Sequence, residues 1–148
     1  MSVQIIINGL ALGAVYALIA TGFSIIFNVL KFSNFSHGAL MTLSAFIGYF
    51  VSVGTGLSLF PVILISMLAG GLIDLAGEFV AFRKLTIRNT SSIYYFVSSI
   101  TLGTLFEGIV TIWVGPNFYN YPRFFKSMVV KFGSLIVSTS DLIMFITS

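Results

Sequence analysis

The residues of this chain that are best suited to chemistry form a short polar segment, Asn34-Phe35-Ser36-His37-Gly38, which we call the polar island. It contains the only histidine of the sequence. No charged side chain lies between Met1 and Leu30, or between Phe32 and Ile73, so the island interrupts sequence that is otherwise suited to lipid. Polar groups inside a membrane usually mark a transport pathway or a binding site. The island is therefore the first candidate for function.

His37 has two possible roles within the island. An imidazole titrates near neutral pH, so it could act as a proton switch. The more ordinary role for a single histidine beside serine and asparagine is to fix a local bend of the backbone. The sequence has no cysteine, no second histidine and no clustered carboxylates near His37, so it predicts no metal site.

Two carboxylates lie within the third apolar stretch. Asp74 and Glu78 are four residues apart and therefore share one helical face. Asp74 precedes Arg83 by nine residues, which places it about 13 Å deeper along a helix. A proton or cation relay is one interpretation. Hydrogen bonding to a neighbouring helix, or snorkelling of Glu78 towards the membrane surface, is the more ordinary one.

A third carboxylate, Glu107, follows Ser99 and Gly103 at intervals of four residues. Small residues on one helical face allow close packing, so this face is predicted to contact protein rather than lipid. Glu107 is then expected to pair with a group beyond this chain.

Enzyme chemistry is not indicated. Serines are plentiful, but none lies in a glycine-flanked nucleophile elbow with a paired base. No glycine-rich loop ends in the lysine that would hold a nucleotide phosphate. The sequence predicts no catalytic residue, and any ATP that drives the protein is expected to bind to another chain.

The composition is that of an integral membrane protein. Of 148 residues, 57% are hydrophobic and 7% are charged, whereas about a quarter are charged in soluble domains. Long apolar runs without alternation favour helices over barrel strands, so we predict an all-α polytopic bundle. The net charge of +3 lies in loops, where it suits membrane orientation better than nucleic-acid binding.

About four spans and the start of a fifth are predicted. The spans cover about 5–30, 38–53, 61–82 and 91–114, followed by an external segment at 115–139 and a truncated fifth span from 141. The external segment contains two short runs around Gly133-Ser134, Val129 to Phe132 and Leu135 to Ser138, which predict a small extracytoplasmic hairpin. Small residues at four-residue spacing predict packing faces on the first two spans: Gly9, Gly13, Ala17, Ser44 and Gly48.

Basic residues in the loops predict the orientation. Four of them share one side if the spans alternate, and three lie in a longer loop on the other: Lys31, Arg83, Lys84 and Arg88, against Arg123, Lys126 and Lys131. The first set lies in short loops without acidic residues, so we place it in the cytoplasm and the N-terminus outside.

The sequence resembles the permease subunits of branched-chain amino acid ABC importers. The residues that carry the resemblance are spread over much of the chain: Asn8-Gly9, Gly13, Tyr16-Ala17-Leu18, Ala20, Gly22, the polar island, Glu78, Phe82-Arg83, Leu85, Gly115-Pro116 and Tyr121-Pro122. In place of the island, that family commonly has asparagine, phenylalanine, alanine, histidine and glycine, so Ser36 is the position that differs.

The resemblance implies a subunit of an inner-membrane importer for branched-chain or related neutral amino acids or amides. A periplasmic solute-binding protein would deliver the solute to two permease subunits, alike or different, and two cytoplasmic ATPase subunits would use ATP. This chain would bind no cofactor itself. Such permeases are about twice as long, so the resemblance also implies an N-terminal part whose coupling helix for the ATPase is missing.

A broken helix exposes backbone groups to a cavity, as a path for a zwitterion requires. We therefore expect Asn34, Ser36 and His37 to line or shape the path, with Tyr16 nearby on the adjacent helix.

Two other hypotheses remain open. One is a small structural or regulatory membrane protein, a degraded permease, that associates through its Gly and Ala faces. The other is a proton channel that uses Asp74, His37 and Glu107.

Overall fold

The structure is a computed structural model, and it describes residues 2–122, 129–132 and 135–138. The chain divides into two compact units, Met1–Ile26 with Arg123–Ser148, and Phe27–Pro122. The polar island and the carboxylates Asp74, Glu78 and Glu107 fall in the second unit. The predicted fifth span lies outside the described residues, as does part of the predicted external segment.

Five α-helices and one π-helical turn account for most of the described chain. They are α1 (Ser2–Leu30), α2 (His37–Thr55), α3 (Leu59–Gly77), the π-turn (Glu78–Phe82), α4 (Arg83–Ile87) and α5 (Ser92–Val114). Four helical segments among the described residues are long and apolar enough to cross a membrane: Asn8–Leu30, His37–Thr55, Leu59–Ile87 and Ser92–Val114. The predicted class, a polytopic helical membrane protein, is confirmed. The third segment continues to Ile87, five residues past the predicted boundary, because the helix runs on through the π-turn and α4.

Two short strands, β1 (Val129–Phe132) and β2 (Leu135–Ser138), pair antiparallel in the first unit. Val129 lies opposite Ser138, and Phe132 lies opposite Leu135. The strands occupy the two runs for which the sequence predicts a hairpin. The side of the membrane on which they lie stays a prediction.

Small residues bring α2 and α3 close together in antiparallel orientation. A Cβ atom added to Gly70 would lie 2.5 Å from Ser44 Oγ, and one added to Gly48 would overlap Ser66 Oγ. Both serines donate their hydroxyl to the carbonyl four residues earlier in their own helix. Their polar groups are therefore satisfied within each helix, and the two helices contact through surfaces without bulky side chains.

Adjacent glycines on α3 provide a matched test of this packing. Gly70→Leu is expected to destabilise the protein by about 1–3 kcal/mol, the usual cost of overpacking, because the new side chain meets Ser44. Gly71→Leu adds the same atoms where a Cβ meets no heavy atom within 4 Å, so its melting temperature should stay near that of the wild type. Thermal melting in detergent compares the two, and equal melting temperatures would rule out this packing.

The core of the second unit lies between α2, the π-turn and α5. Its buried members are apolar: Ala39, Leu40, Leu43, Phe82, Leu102 and Phe106. Phe32 lies beside this core, with its ring 5.3 Å from that of Phe82 and 4.8 Å from that of Tyr95. Since Phe32 follows Lys31 and Phe82 precedes Arg83, the basic residues after α1 and after the π-turn lie at the same end of the unit.

Aromatic side chains gather at the opposite end. The rings of Phe50 and Trp113 are 5.0 Å apart, and those of Tyr49 and Tyr121 are 5.6 Å apart. The Tyr121 hydroxyl donates a hydrogen bond to the carbonyl of Ala45 on α2. Burial raises the pKa of the Tyr121 phenol, so it stays protonated and able to donate at neutral pH. This bond attaches the segment after α5 to the middle of α2.

Candidate functional site

The polar island is non-helical up to Ser36 and folds around one amide side chain. Asn34 Oδ1 accepts hydrogen bonds from the Ser36 backbone N–H at 3.1 Å and from the Ser36 hydroxyl at 2.6 Å. Asn34 is 5% exposed and Ser36 is fully buried. An asparagine that binds the backbone two residues ahead forms an Asx turn. The two side chains therefore shape the backbone of the island, and α2 begins directly after this turn at His37.

Helix α5 supports the island from one side. Ser99 Oγ accepts a hydrogen bond from the Phe35 N–H at 3.2 Å and donates one to the Phe96 carbonyl at 2.8 Å. The rings of Phe35 and Phe96 meet edge to face at 5.2 Å. One turn further along α5, a Cβ atom added to Gly103 would lie 3.3 Å from Ser36 Cα. Gly103 thus lets the backbone of the island approach the helix.

These contacts place the island at some depth along the span. Ser99 and Gly103 follow the start of α5 at Ser92 by seven and eleven residues, or about 10 and 16 Å along the helix axis. Non-helical backbone inside a membrane is tolerated only where protein covers it or where it lines a cavity. The hydrogen bonds with Ser99 and Asn34 show that protein covers the backbone of the island on one side.

A groove of about 440 Å³ lies beside the island and is lined by residues of α2 and α5. Its lining combines apolar side chains, one glycine, two threonines and one carboxylate: Phe35, Gly38, Ala39, Thr42, Glu107, Val110 and Thr111. Pockets for small molecules have volumes of about 300–1,000 Å³ and are mostly apolar with a few polar groups. The volume of the groove falls within this range, its lining is about equally polar and apolar, and Glu107 is the only charged residue among those that line it.

The match to a known protein family extends over almost the whole chain. Residues 5–148 match the family described as "Branched-chain amino acid transport system / permease component". The chain belongs to this family. Its fold is therefore that of a transport permease component, and the resemblance carried by the polar island and the residues around it is confirmed.

Individual relatives support the same assignment. The high-affinity branched-chain amino acid transport system permease protein LivH of Salmonella typhimurium is 24% identical over 146 aligned positions, which cover 93% of this chain and 45% of the relative. LivH of Escherichia coli K12 is also 24% identical, and the alignment covers 86% of this chain and 43% of that relative. The permease protein BraD of Pseudomonas aeruginosa is 26% identical, and the alignment covers 74% of this chain and 38% of that relative. The chain spans less than half the length of these relatives. No solved structure matches it.

Three other predicted polar residues, His37, Asp74 and Glu78, are not part of the lining of the groove. Asp74, half-buried on α3, interacts electrostatically with His37 at the start of α2. Glu78 is exposed at the start of the π-turn. Within the described residues, no three His, Asp or Glu side chains form a group that could hold a metal ion. Of the three proposed proton-channel residues, Glu107 lines the groove, whereas Asp74 and His37 do not.

The predicted residues of the first span lie on α1, in the other unit. Tyr16 is exposed, and a Cβ atom added to Gly9 or Gly13 would meet no heavy atom of the described chain within 4 Å. Ala17 accepts a hydrogen bond from the Thr21 hydroxyl at 2.8 Å through its carbonyl. A position of Tyr16 beside the polar island stays a prediction, as does the assignment of Asn34, Ser36 and His37 to the solute path.

Sequence reasoning missed the two polar residues Thr42 and Thr111 of the groove, as well as the apolar residues Ala39 and Val110. A signal for both threonines was present. Thr111 continues the series Ser99, Gly103 and Glu107 at four-residue spacing, and Thr42 follows Gly38 by the same interval. Residues four apart share a helical face, so each threonine belongs to the face that already carries an island contact or the carboxylate.

Proposed function

We propose that this chain is part of a membrane-spanning permease subunit of an ATP-driven importer for branched-chain or related neutral amino acids or amides, and that it forms part of the translocation path. Membership of the permease family over residues 5–148 supports this function. The observation that carries the role in the path is the groove, because it joins an intramembrane carboxylate, Glu107, to the non-helical polar island.

The physical requirements of the solute fit this groove. A branched-chain amino acid has an apolar side chain and two charged groups, so its path needs apolar walls with a few polar groups at one place. Phe35, Ala39 and Val110 supply apolar surface, and Thr42 and Glu107 supply polar groups. Rigid positioning by Ser99 and Asn34 keeps the Phe35 wall in place.

The partners follow from the proposed function. A second permease subunit would complete the path, a periplasmic solute-binding protein would deliver the solute, and cytoplasmic ATPase subunits would bind and hydrolyse ATP. The protein would lie in the inner membrane with its N-terminus outside. The end of the second unit that carries Lys31 and Arg83 would then face the cytoplasm and the ATPase subunits.

Uptake of radiolabelled leucine tests the proposal. The chain is expressed in its full reading frame with its partner subunits in cells that lack other leucine uptake systems. We expect ATP-dependent accumulation that excess isoleucine or valine suppresses and that a lysine substitution in the ATPase phosphate loop abolishes. No uptake of leucine, isoleucine, valine or their amides by a correctly assembled complex would refute the proposed function.

A further inference from the structure

We propose that the groove between α2 and α5 is an ammonium site, with Glu107 as the counter-ion and the hydroxyl oxygens of Thr42 and Thr111 as further acceptors. The inference rests on the proposed function for the source of the ammonium group, which is the α-ammonium of the transported amino acid. The chemistry of the groove itself is read from its own side chains.

The first argument is the hydrogen-bonding state of the two threonines. The Thr42 hydroxyl donates its one hydrogen to the Gly38 carbonyl at 3.0 Å, and the Thr111 hydroxyl donates to the Glu107 carbonyl at 2.8 Å. A hydroxyl has one hydrogen and two lone pairs, so each oxygen can still accept but cannot donate elsewhere. Since the other side chains of the groove are apolar or carboxylate, its side chains offer acceptors alone.

The second argument is the charge of Glu107. Glu107 is exposed on α5, and within residues 2–122 no salt bridge joins it to a basic side chain. Phe32 and Phe82, the neighbours of Lys31 and Arg83, pack against Tyr95, which precedes Glu107 on α5 by about 18 Å along the helix axis. A carboxylate within a membrane span is costly unless a partner compensates its charge. A cation in the groove would supply that compensation.

The third argument is stoichiometry. An alkylammonium group carries three N–H donors and one positive charge. The groove presents one carboxylate and two hydroxyl acceptors on two facing helices, beside the apolar surfaces of Phe35 and Val110. Hydrogen bonds between charged groups are about twice as strong as neutral ones, so Glu107 should dominate the affinity.

The test separates the two ends of leucine. The chain, assembled with its partner subunits in lipid nanodiscs, is titrated with 3-methylbutylammonium, which is leucine without its carboxylate, and with 4-methylpentanoate, which is leucine without its ammonium. We expect the ammonium probe to bind, and Glu107→Gln to weaken its binding at least tenfold. Binding of 4-methylpentanoate should be unaffected by that change.

Matched variants guard against a general loss of structure. Thr42→Val and Thr111→Val should each weaken binding of the ammonium probe a few fold. Thr104 on α5 has an equivalent hydroxyl that donates to the carbonyl four residues earlier, but it does not line the groove. Thr104→Val should therefore leave binding of the ammonium probe unchanged. Glu78→Gln should likewise have no effect on the binding of the probe.

Three results would decide against the inference. Binding of the ammonium probe that Glu107→Gln does not change would overturn it. Equal competition by potassium chloride at the probe's concentration would assign the site to inorganic cations instead of the solute. A melting temperature that falls in Glu107→Gln without ligand, with binding intact, would show a structural role. Loss of binding in this variant while the wild-type complex imports nothing would support the ammonium site and refute the proposed function.

Discussion

Gly103→Leu is expected to abolish leucine uptake and to lower the melting temperature more than Gly70→Leu does. A Cβ atom at position 103 would lie 3.3 Å from Ser36 Cα and 3.5 Å from the Phe35 carbonyl oxygen. Both are backbone atoms, which cannot rotate away as a side-chain end can. The leucine must therefore push the polar island off α5, and the hydrogen bond from Phe35 to Ser99 breaks with it.

The expected cost combines two terms. Overpacking costs about 1–3 kcal/mol, and leaving the Phe35 N–H without its acceptor adds about 1–3 kcal/mol. Because proteins are stable by only about 5–15 kcal/mol, this is a large fraction of the total. Gly103→Ala should show a smaller loss in the same direction, since one methyl group needs a shift of only a few tenths of an ångström.

Gly108 provides the control on the same helix. A Cβ atom at Gly108 would meet no heavy atom of the described chain within 4 Å, so Gly108→Leu adds the same side chain without a clash. Thermal melting and leucine uptake are measured for both variants. If the two leucine variants melt at the same temperature, the close approach of the island to α5 is not a determinant of stability.

Much of the helical architecture could be predicted from the sequence, because lipid imposes a simple rule. Apolar runs such as the one after Leu59 must be helical, since a helix satisfies every backbone group within its own segment. The end of the third span was harder to predict. Arg83 and Lys84 indicate water, yet long basic side chains can extend from a continuing helix towards the surface, so the charge did not end the helix.

The site was predictable only in part because its contacts join distant segments. The island stood out by composition, but its depth depends on Ser99 and Gly103, which are more than 60 residues away in sequence. The four-residue spacing indicated that this face of α5 contacts protein. It did not indicate which segment of the chain makes that contact. The sequence led us to expect that Glu107 pairs with a group beyond the chain. It did not predict that Glu107 and Thr42 line the same groove.

The π-turn at Glu78–Phe82 was also not predicted. A π-turn inserts one extra residue into a helical turn. Neither the hydropathy nor the composition of the sequence marks the place where this happens. The Ser98 hydroxyl on α5 donates to the Ala81 carbonyl within this turn at 3.0 Å. This contact joins residues 17 apart in sequence, and no local sequence pattern reports it.

Asn34→Ala is expected to destabilise the island strongly, with a loss of about 2 kcal/mol or more and a matching fall in uptake. The substitution removes the acceptor for two donors at once, the Ser36 N–H and the Ser36 hydroxyl. Ser36 is fully buried, so water does not replace the lost acceptor. A buried donor that is left without a partner costs about 1–3 kcal/mol, whereas removal of both partners can be nearly neutral.

That asymmetry makes a double-mutant cycle the decisive measurement. Ser36→Ala alone removes one donor and leaves Asn34 Oδ1 with the backbone N–H, so its cost should be smaller. In the double variant the orphaned hydroxyl no longer exists, and the loss should be less than the sum of the two single losses. Strict additivity in thermal melting would mean that the bond between these side chains does not stabilise the turn. Sub-additive losses in both stability and uptake would instead show that the island acts in transport as one hydrogen-bonded unit, held in shape before any solute arrives.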